Sequence, residues 1–169
     1  MNLELTDRTA LVSGSTKGIG FAIATGLARE GARVIVNGRS ENAVAVAKEQ
    51  IDQTVPDARL ESFAGDLSTA SATETLLQRF PLVDVLVNNL GIFEAKSFGD
   101  ITDEEWRQFF EVNVLSGVRL SRAYLPRHEG AELGSYRVHQ QRERDQHSRR
   151  NDPLRHDQDG TIGGVARVG

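Results

Sequence analysis

The feature that most constrains this sequence is a regular alternation of short apolar runs with longer segments of helical spacing. Alternation of this kind is typical of a parallel sheet with right-handed crossovers, covered by helices on both faces. We therefore predict an α/β fold with a doubly wound parallel sheet. The predicted strands are residues 9–12, 34–36, 60–63 and 83–87, and the predicted helices are residues 19–31, 41–51, 69–80 and 102–120.

The composition changes abruptly near Pro126. Residues 127–169 contain only 9 apolar residues in 43, all four His, and eight Arg against seven acidic residues. No helical or alternating period runs through them, so they cannot bury enough surface to offset the entropy lost on ordering. We predict a folded region over residues 1–126 and an unstructured tail over residues 127–169, without the further strand and helix expected of a doubly wound sheet.

Several functional classes are disfavoured by composition. The chain has no cysteine, which excludes disulfides and thiolate metal sites, and we predict no metal site. The net charge of −4 gives no reason to expect nucleic-acid binding, and no apolar run is long enough to cross a membrane. We expect a cytoplasmic protein.

A glycine-rich stretch, Gly14-Ser15-Thr16-Lys17-Gly18-Ile19-Gly20, lies between the first predicted strand and its helix. At this position the backbone can approach a pyrophosphate closely, and the helix N-terminus favours the phosphate charge. A glycine cluster can also form a tight turn beneath a closely packed helix. The strand and helix on either side favour the nucleotide-binding interpretation.

The G-x3-G-x-G spacing resembles that of the short-chain dehydrogenase/reductase family, and further motifs follow in the family's order. Asp66-Leu67 resembles a pair that contacts adenine, and Asn88-Asn89-Leu90-Gly91 resembles the family's Asn-Asn-Ala-Gly signature, with Leu90 in place of alanine. The resemblance implies a Rossmann-like fold and a nicotinamide-dependent oxidoreductase that acts on a small carbonyl or alcohol substrate, with a homo-oligomer as the intact enzyme. The cofactor-binding residues that it implies are Gly14, Thr16, Lys17, Gly18, Ile19, Gly20, Arg39, Asp66, Leu67, Asn88 and Gly91.

Asn113 is the single catalytic residue that we predict. It falls on a helical face shared with Trp106, Phe109, Phe110 and Gly117, and an amide on an apolar face must find hydrogen-bond partners. A structural asparagine satisfied in the core is the alternative. The family resemblance implies that Asn113 holds a water in a lysine-linked proton relay.

The end of the second strand bears on cofactor choice. An acidic residue about 20 positions past the glycines would bind the ribose 2′-hydroxyl of NAD. This chain has Asn37-Gly38-Arg39 there, without a carboxylate. Arg39 and Lys17 could instead flank a 2′-phosphate, which favours NADP(H) over NAD(H), unless they are ordinary solvated cations.

The family's proton donor is absent from the sequence as read. The resemblance implies a tyrosine, a lysine four positions later and a serine, yet Tyr124 is followed four positions later by His128, and Tyr136 by Gln140. No lysine lies beyond Lys96. We therefore expect this chain to be inactive.

A frameshift would explain both the missing residues and the composition change. Residues 153–160 can be coded CCA TTA CGG CAT GAC CAA GAC GGC, which one base along gives His-Tyr-Gly-Met-Thr-Lys-Thr. Residues 138–143, coded GTT CAT CAG CAG CGA GAG, give Phe-Ile-Ser-Ser-Glu in the same frame, and the second serine lies 13 positions before the tyrosine. A natural disordered tail is the alternative.

Two other functions stay open on sequence alone: a dinucleotide-binding module without catalysis, and an Arg-rich nucleic-acid arm, which the carboxylates of the tail disfavour. A sheet that stops after four strands would also leave an exposed edge and the apolar helix face of Phe109 and Phe110. Family members commonly pair through that helix. We therefore expect the chain to be prone to aggregation.

Overall fold

The computed structural model describes residues 4–128 and 135–138 of the chain. Strands and helices alternate along it, as the apolar pattern predicted. The elements are β1 (Thr9–Val12), α1 (Gly18–Arg29), β2 (Arg33–Gly38), α2 (Glu41–Thr54), β3 (Leu60–Ala64), α3 (Ala70–Arg79), β4 (Val85–Asn88), a 3-10 turn (Phe98–Asp100), α4 (Asp103–Phe110), a π-helical turn (Glu111–Leu115), α5 (Ser116–His128) and β5 (Ser135–Val138).

The five strands form one parallel sheet in the order β3-β2-β1-β4-β5. The chain moves outward from β1 through β2 to β3 and then returns to β4 on the other side of β1. This change of direction opens a crevice beyond the carboxyl ends of β1 and β4, which is where ligands bind in open α/β sheets. The predicted Rossmann-like, doubly wound fold is therefore confirmed.

Alternate residues of the central strands supply two separate cores. On one face of the sheet, Ala10, Val12 and Val34 pack in a cluster with residues of α1 and α2. On the other face, Leu11 and Ile35 pack in a cluster with residues of α3 and α5. Burial on both faces explains why these strands read as unbroken apolar runs rather than as alternating ones.

The predicted helix over residues 102–120 differs from the observed one. Its start is as predicted, because Thr102 and Glu105 form a reciprocal capping box. Its interior contains the π-helical turn, and its end extends to His128. The turn adds a residue to one helical turn, so the face predicted from strict helical spacing changes direction near Asn113.

The predicted boundary near Pro126 falls within a helix. Pro126 lies inside α5, and Ser135–Val138 pair with β4 as a fifth strand. The prediction of no further strand after residue 126 was therefore wrong for these four residues. The positions used in the frameshift argument beyond residue 138, and the rest of the predicted tail, lie outside the described residues.

None of the helices among residues 4–128 is both long enough and apolar enough to cross a membrane.

Candidate nucleotide-binding site

A cleft of about 520 Å³ lies at the carboxyl edge of the sheet, between the glycine-rich loop after β1 and the segment after β4. Ten of the eleven residues predicted to bind a cofactor line it, and the exception is Asn88. The lining residues that the sequence analysis did not select are Asn37, Gly38, Gly65, Ser68, Asn89, Leu90, Ile92, Gln108, Glu111 and Val112.

The three glycines of the loop have different roles. Gly14 and Gly18 have φ angles of +62° and +59°, in the left-handed region that favours glycine. A Cβ on Gly18 would meet nothing within 4 Å, so its backbone faces open space at the start of α1. A Cβ on Gly20 would instead collide with Gly14 O and Asn89 Nδ2. Gly18 therefore leaves room for a ligand, whereas Gly20 allows α1 to pack closely against the strand edge.

Asn37, at the end of β2, holds the loop in place. Its Oδ1 accepts a hydrogen bond from Gly14 N at 3.0 Å, and its Nδ2 donates to Phe63 O and Gly65 O, both at 3.1 Å. Asn37 and Ser15 also exchange main-chain and side-chain bonds. The side chain is buried, and its amide nitrogen makes both of the hydrogen bonds that it can donate. One residue thus joins the glycine-rich loop to β2 and β3.

Ser13 and Asn89 join the other side of the loop to the segment after β4. Ser13 Oγ accepts from Asn89 N and Leu90 N at 2.9 and 3.0 Å, and Asn89 Nδ2 donates to the carbonyl oxygens of Ser13 and Gly14. Leu90, which departs from the family's alanine, packs against the second core and over Gly14. The cleft is therefore framed by main-chain groups fixed from both sides.

Two buried oxygens at this edge have no hydrogen-bond partner within the described residues: Oδ1 of Asn88 and Oδ1 of Asn89. The Nδ2 of Asn88 donates to Ser121 Oγ at 3.1 Å, so its amide is only partly satisfied. Buried polar atoms normally have partners. Only Asn89 of these two lines the cleft, so its free acceptor is the one that fits a ligand with hydroxyl or amide donors, as a dinucleotide has.

Two cationic side chains, Lys17 and Arg39, line the cleft and are exposed. Arg39 comes directly after β2, and the residue between Asn37 and Arg39 is a buried glycine, Gly38. No carboxylate follows β2 at this position. The arrangement can bind an anionic group near the ribose position.

Asp66 caps the turn after β3. Its Oδ1 accepts from Ser68 N at 3.0 Å and Ser68 Oγ at 2.7 Å, which leaves Oδ2 for a ligand. Leu67 is fully buried in the second core. Arg119 of α5 donates to Ser68 O at 2.7 Å and pairs with Glu111, so the turn is held from the helix as well.

Asn113 lies in the π-helical turn and is exposed. Its Oδ1 accepts from Ile92 N at 2.7 Å, and its Nδ2 donates to Ile92 O at 3.0 Å. One N–H and one lone pair of the amide stay unused. Asn113 therefore anchors the segment after β4 and keeps capacity to bind a water.

Glu105 fixes the outer part of that segment. Its two oxygens accept from Lys96 Nζ at 2.7 and 3.0 Å, and Oε2 also accepts from Thr102 N at 2.7 Å. The bond with Lys96, followed by that from the Thr102 backbone, lowers the pKa of Glu105 from 4.5 to about 2. The residues between Lys96 and Glu105 are thereby tied to the start of α4.

Tyr124 is a core residue. Its side chain is fully buried and its hydroxyl donates to Phe80 O at 2.9 Å. It is the only tyrosine in residues 4–128, so this described part of the chain presents no tyrosine to the cleft.

The comparisons with known proteins agree with this geometry. The short chain dehydrogenase family model matches residues 8–135, and the chain belongs to this family. It is 53% identical over 125 residues to an uncharacterized oxidoreductase, YvaG, of Bacillus subtilis, covering 74% of this chain and 47% of that protein. It is 37% identical over 125 residues to the Escherichia coli 3-oxoacyl-[acyl-carrier-protein] reductase FabG, covering 74% of this chain and 50% of FabG.

Solved structures give the same result. The L-sorbose reductase of Gluconobacter frateurii, complexed with NADPH and L-sorbose, superposes with a TM-score of 0.67 at 30% identity, covering 75% of this chain and 49% of the reductase. A metagenomic short-chain oxidoreductase in complex with NADP superposes with a TM-score of 0.68 at 31% identity, covering 77% and 60%. The chain thus spans about half the length of most of these relatives.

Proposed function

We propose that this chain carries the nucleotide site of an NADP(H)-dependent oxidoreductase that interconverts a small carbonyl compound and its alcohol. The observation that carries the cofactor choice is that Lys17 and Arg39 both line the cleft, with Arg39 directly after β2 and no carboxylate at that point. Two cations there favour a 2′-phosphate, and a carboxylate would favour a 2′-hydroxyl.

Each part of the cleft has a place in this proposal. The main chain around Gly18, at the N-terminus of α1, binds the pyrophosphate. Asp66 Oδ2 accepts a hydrogen bond from the adenine end, and Asn113 holds a water beside Ile92. When bound, the nicotinamide supplies or accepts the hydride. The relatives named as reductases, and the two complexes with NADPH and NADP, support this assignment.

We further propose that the chain binds nucleotide without turnover. The supporting observation is that Tyr124 is used in the core, so residues 4–128 offer no tyrosine as proton donor. A dinucleotide-binding module without catalysis is the second candidate function, and the same observation favours it. For the intact enzyme we propose a homo-oligomer that forms through α4, and a location in the cytoplasm.

Fluorescence titration of the full chain with NADPH and NADH tests the binding step. We expect NADPH to bind at least about tenfold more tightly than NADH, because only NADPH carries a 2′-phosphate that can make charge-assisted contacts with Lys17 and Arg39. Tighter binding of NADH would overturn the cofactor choice. Consumption of NADPH with a reactive ketone, above the background rate, would overturn the lack of turnover.

A further inference from the structure

Position 38 has a backbone that any residue could adopt but no room for a side chain. Gly38 is buried, and its φ is outside the left-handed region. A Cβ built there would lie closer to Thr16 Cγ2 than the 3.0 Å that real Cβ contacts respect. Steric exclusion, not backbone conformation, therefore keeps this residue a glycine.

A single methyl group causes most of this exclusion. The next neighbours of that Cβ would be Val44 Cγ2 at 3.3 Å and Thr16 Oγ1 at 3.4 Å. These two contacts can be relieved by a few tenths of an ångström, whereas the contact with the Thr16 methyl requires Thr16 or the strand to move further. Thr16 also lines the cleft, so the two residues meet at the β2 end of the site.

On these grounds we propose that Thr16 determines cofactor specificity through its methyl group, which keeps position 38 free of a side chain and so denies the site a ribose-binding carboxylate. The inference rests on the proposed dinucleotide site. A side chain at position 38 would project from the end of β2 toward the glycine-rich loop, where a carboxylate that binds a 2′-hydroxyl belongs. With that position empty, Lys17 and Arg39 set the charge near the ribose.

The substitution Thr16→Ser separates sterics from hydrogen bonding, because it removes the methyl and keeps the hydroxyl. In the full chain we would compare wild type, T16S, G38A and T16S/G38A by thermal unfolding. Gly38→Ala should lower the unfolding midpoint by several degrees in the wild-type background, and by much less in the T16S background. An equal shift in both backgrounds would show that the Thr16 methyl is not the obstacle and would overturn the proposal.

The specificity step is tested with G38D and T16S/G38D, titrated with NADPH and NADH. We expect T16S/G38D to bind NADH about tenfold more tightly than G38D does, and to lose the preference for NADPH. If wild type binds NADPH but the two variants bind NADH equally, the inference fails and the proposed function stands. If wild type binds neither nucleotide, the proposed function fails and the specificity role fails with it.

Discussion

The side-chain amide of Asn113 bonds to both main-chain polar groups of Ile92, accepting from its N–H at 2.7 Å and donating to its carbonyl at 3.0 Å. This pair joins the π-helical turn to the segment after β4, which forms one wall of the cleft. π-Helical turns inside α-helices often occur at functional sites. Here the turn places the exposed Asn113 amide against the main chain of Ile92, beside the cleft.

We expect Asn113→Ala to loosen this wall. The loss of two hydrogen bonds at an exposed position should lower the free energy of unfolding by about 1–2 kcal/mol and weaken NADPH binding. Amide hydrogen exchange at Ile92 should become faster. Asn113→Asp is the sharper variant, because its carboxylate can accept from Ile92 N but cannot donate to Ile92 O. Unchanged exchange at Ile92 in both variants would contradict this anchoring role.

Asn37→Asp should be far more damaging. In the wild type, Phe63 O and Gly65 O accept hydrogen bonds from the Asn37 amide. The variant places a carboxylate, which cannot donate, against these two oxygens. We expect a loss of roughly 2–4 kcal/mol in urea unfolding, because the site is buried and both donors disappear. Asn42→Asp, at an exposed position in α2, serves as the matched control and should change stability by less than about 0.5 kcal/mol. Equal effects of the two substitutions would contradict the role of Asn37.

Features that neighbouring residues determine could be predicted from the sequence, whereas features that depend on residues far apart in the chain could not. The alternation of strands and helices follows from local apolar spacing, and the glycine-rich loop is recognisable from its own residues. The function of Asn37 was missed because its partners lie 26 and 28 residues away on another strand and its loop. A polar residue ending the apolar run Val34-Ile35-Val36 was the one available signal. The spacing of the apolar side chains gives no sign of the π-helical turn, so a regular helix was predicted.

Lys17 and Arg39 can be tested by removing their charges. Lys17→Ala and Arg39→Ala should each weaken NADPH binding about tenfold and leave NADH binding nearly unchanged. The effect should shrink at high salt, because both cations are exposed. Arg29→Ala, at the opposite end of α1, removes the same charge away from the cleft and should change neither affinity. Parallel losses for both nucleotides would assign the two cations to the shared pyrophosphate instead.

The contact between Lys96 and Glu105 predicts a pH dependence of stability. Folding lowers the pKa of Glu105 to about 2, so the carboxylate contributes stability that is fully present above pH 4.5 and is lost as the pH falls toward 2. Glu105→Gln should remove this contribution. The difference in unfolding free energy between wild type and variant should therefore shrink between pH 5 and pH 2. A difference that stays constant over this range would show that the bonds do not favour the charged form.

An exposed apolar stripe on the α4–α5 helix predicts association. Trp106, Phe110, Val114 and Val118 recur every four residues with 51%, 55%, 40% and 39% of their surface exposed. Sedimentation velocity should show self-association of wild type that Phe110→Glu reduces. Leu82→Glu, at a 70% exposed apolar residue between α3 and β4, is the control and should leave association unchanged. A monodisperse wild-type monomer would contradict the prediction.

The residues of β5 provide a further stretch of sequence on which the proposed frameshift can be tested by DNA sequencing. β5 pairs with β4, yet it reads Ser-Tyr-Arg-Val where β4 reads Val-Leu-Val-Asn. Coded TCG TAT CGT GTT and followed by CAT, the same stretch reads one base along as Arg-Ile-Val-Phe, with three apolar residues of the kind that parallel strands use. This is the frame that restores the serine and the tyrosine–lysine pair. Sequencing codons 120–160 should reveal one open frame containing all three motifs, and a gene in which no single-base shift opens such a frame would reject the proposal.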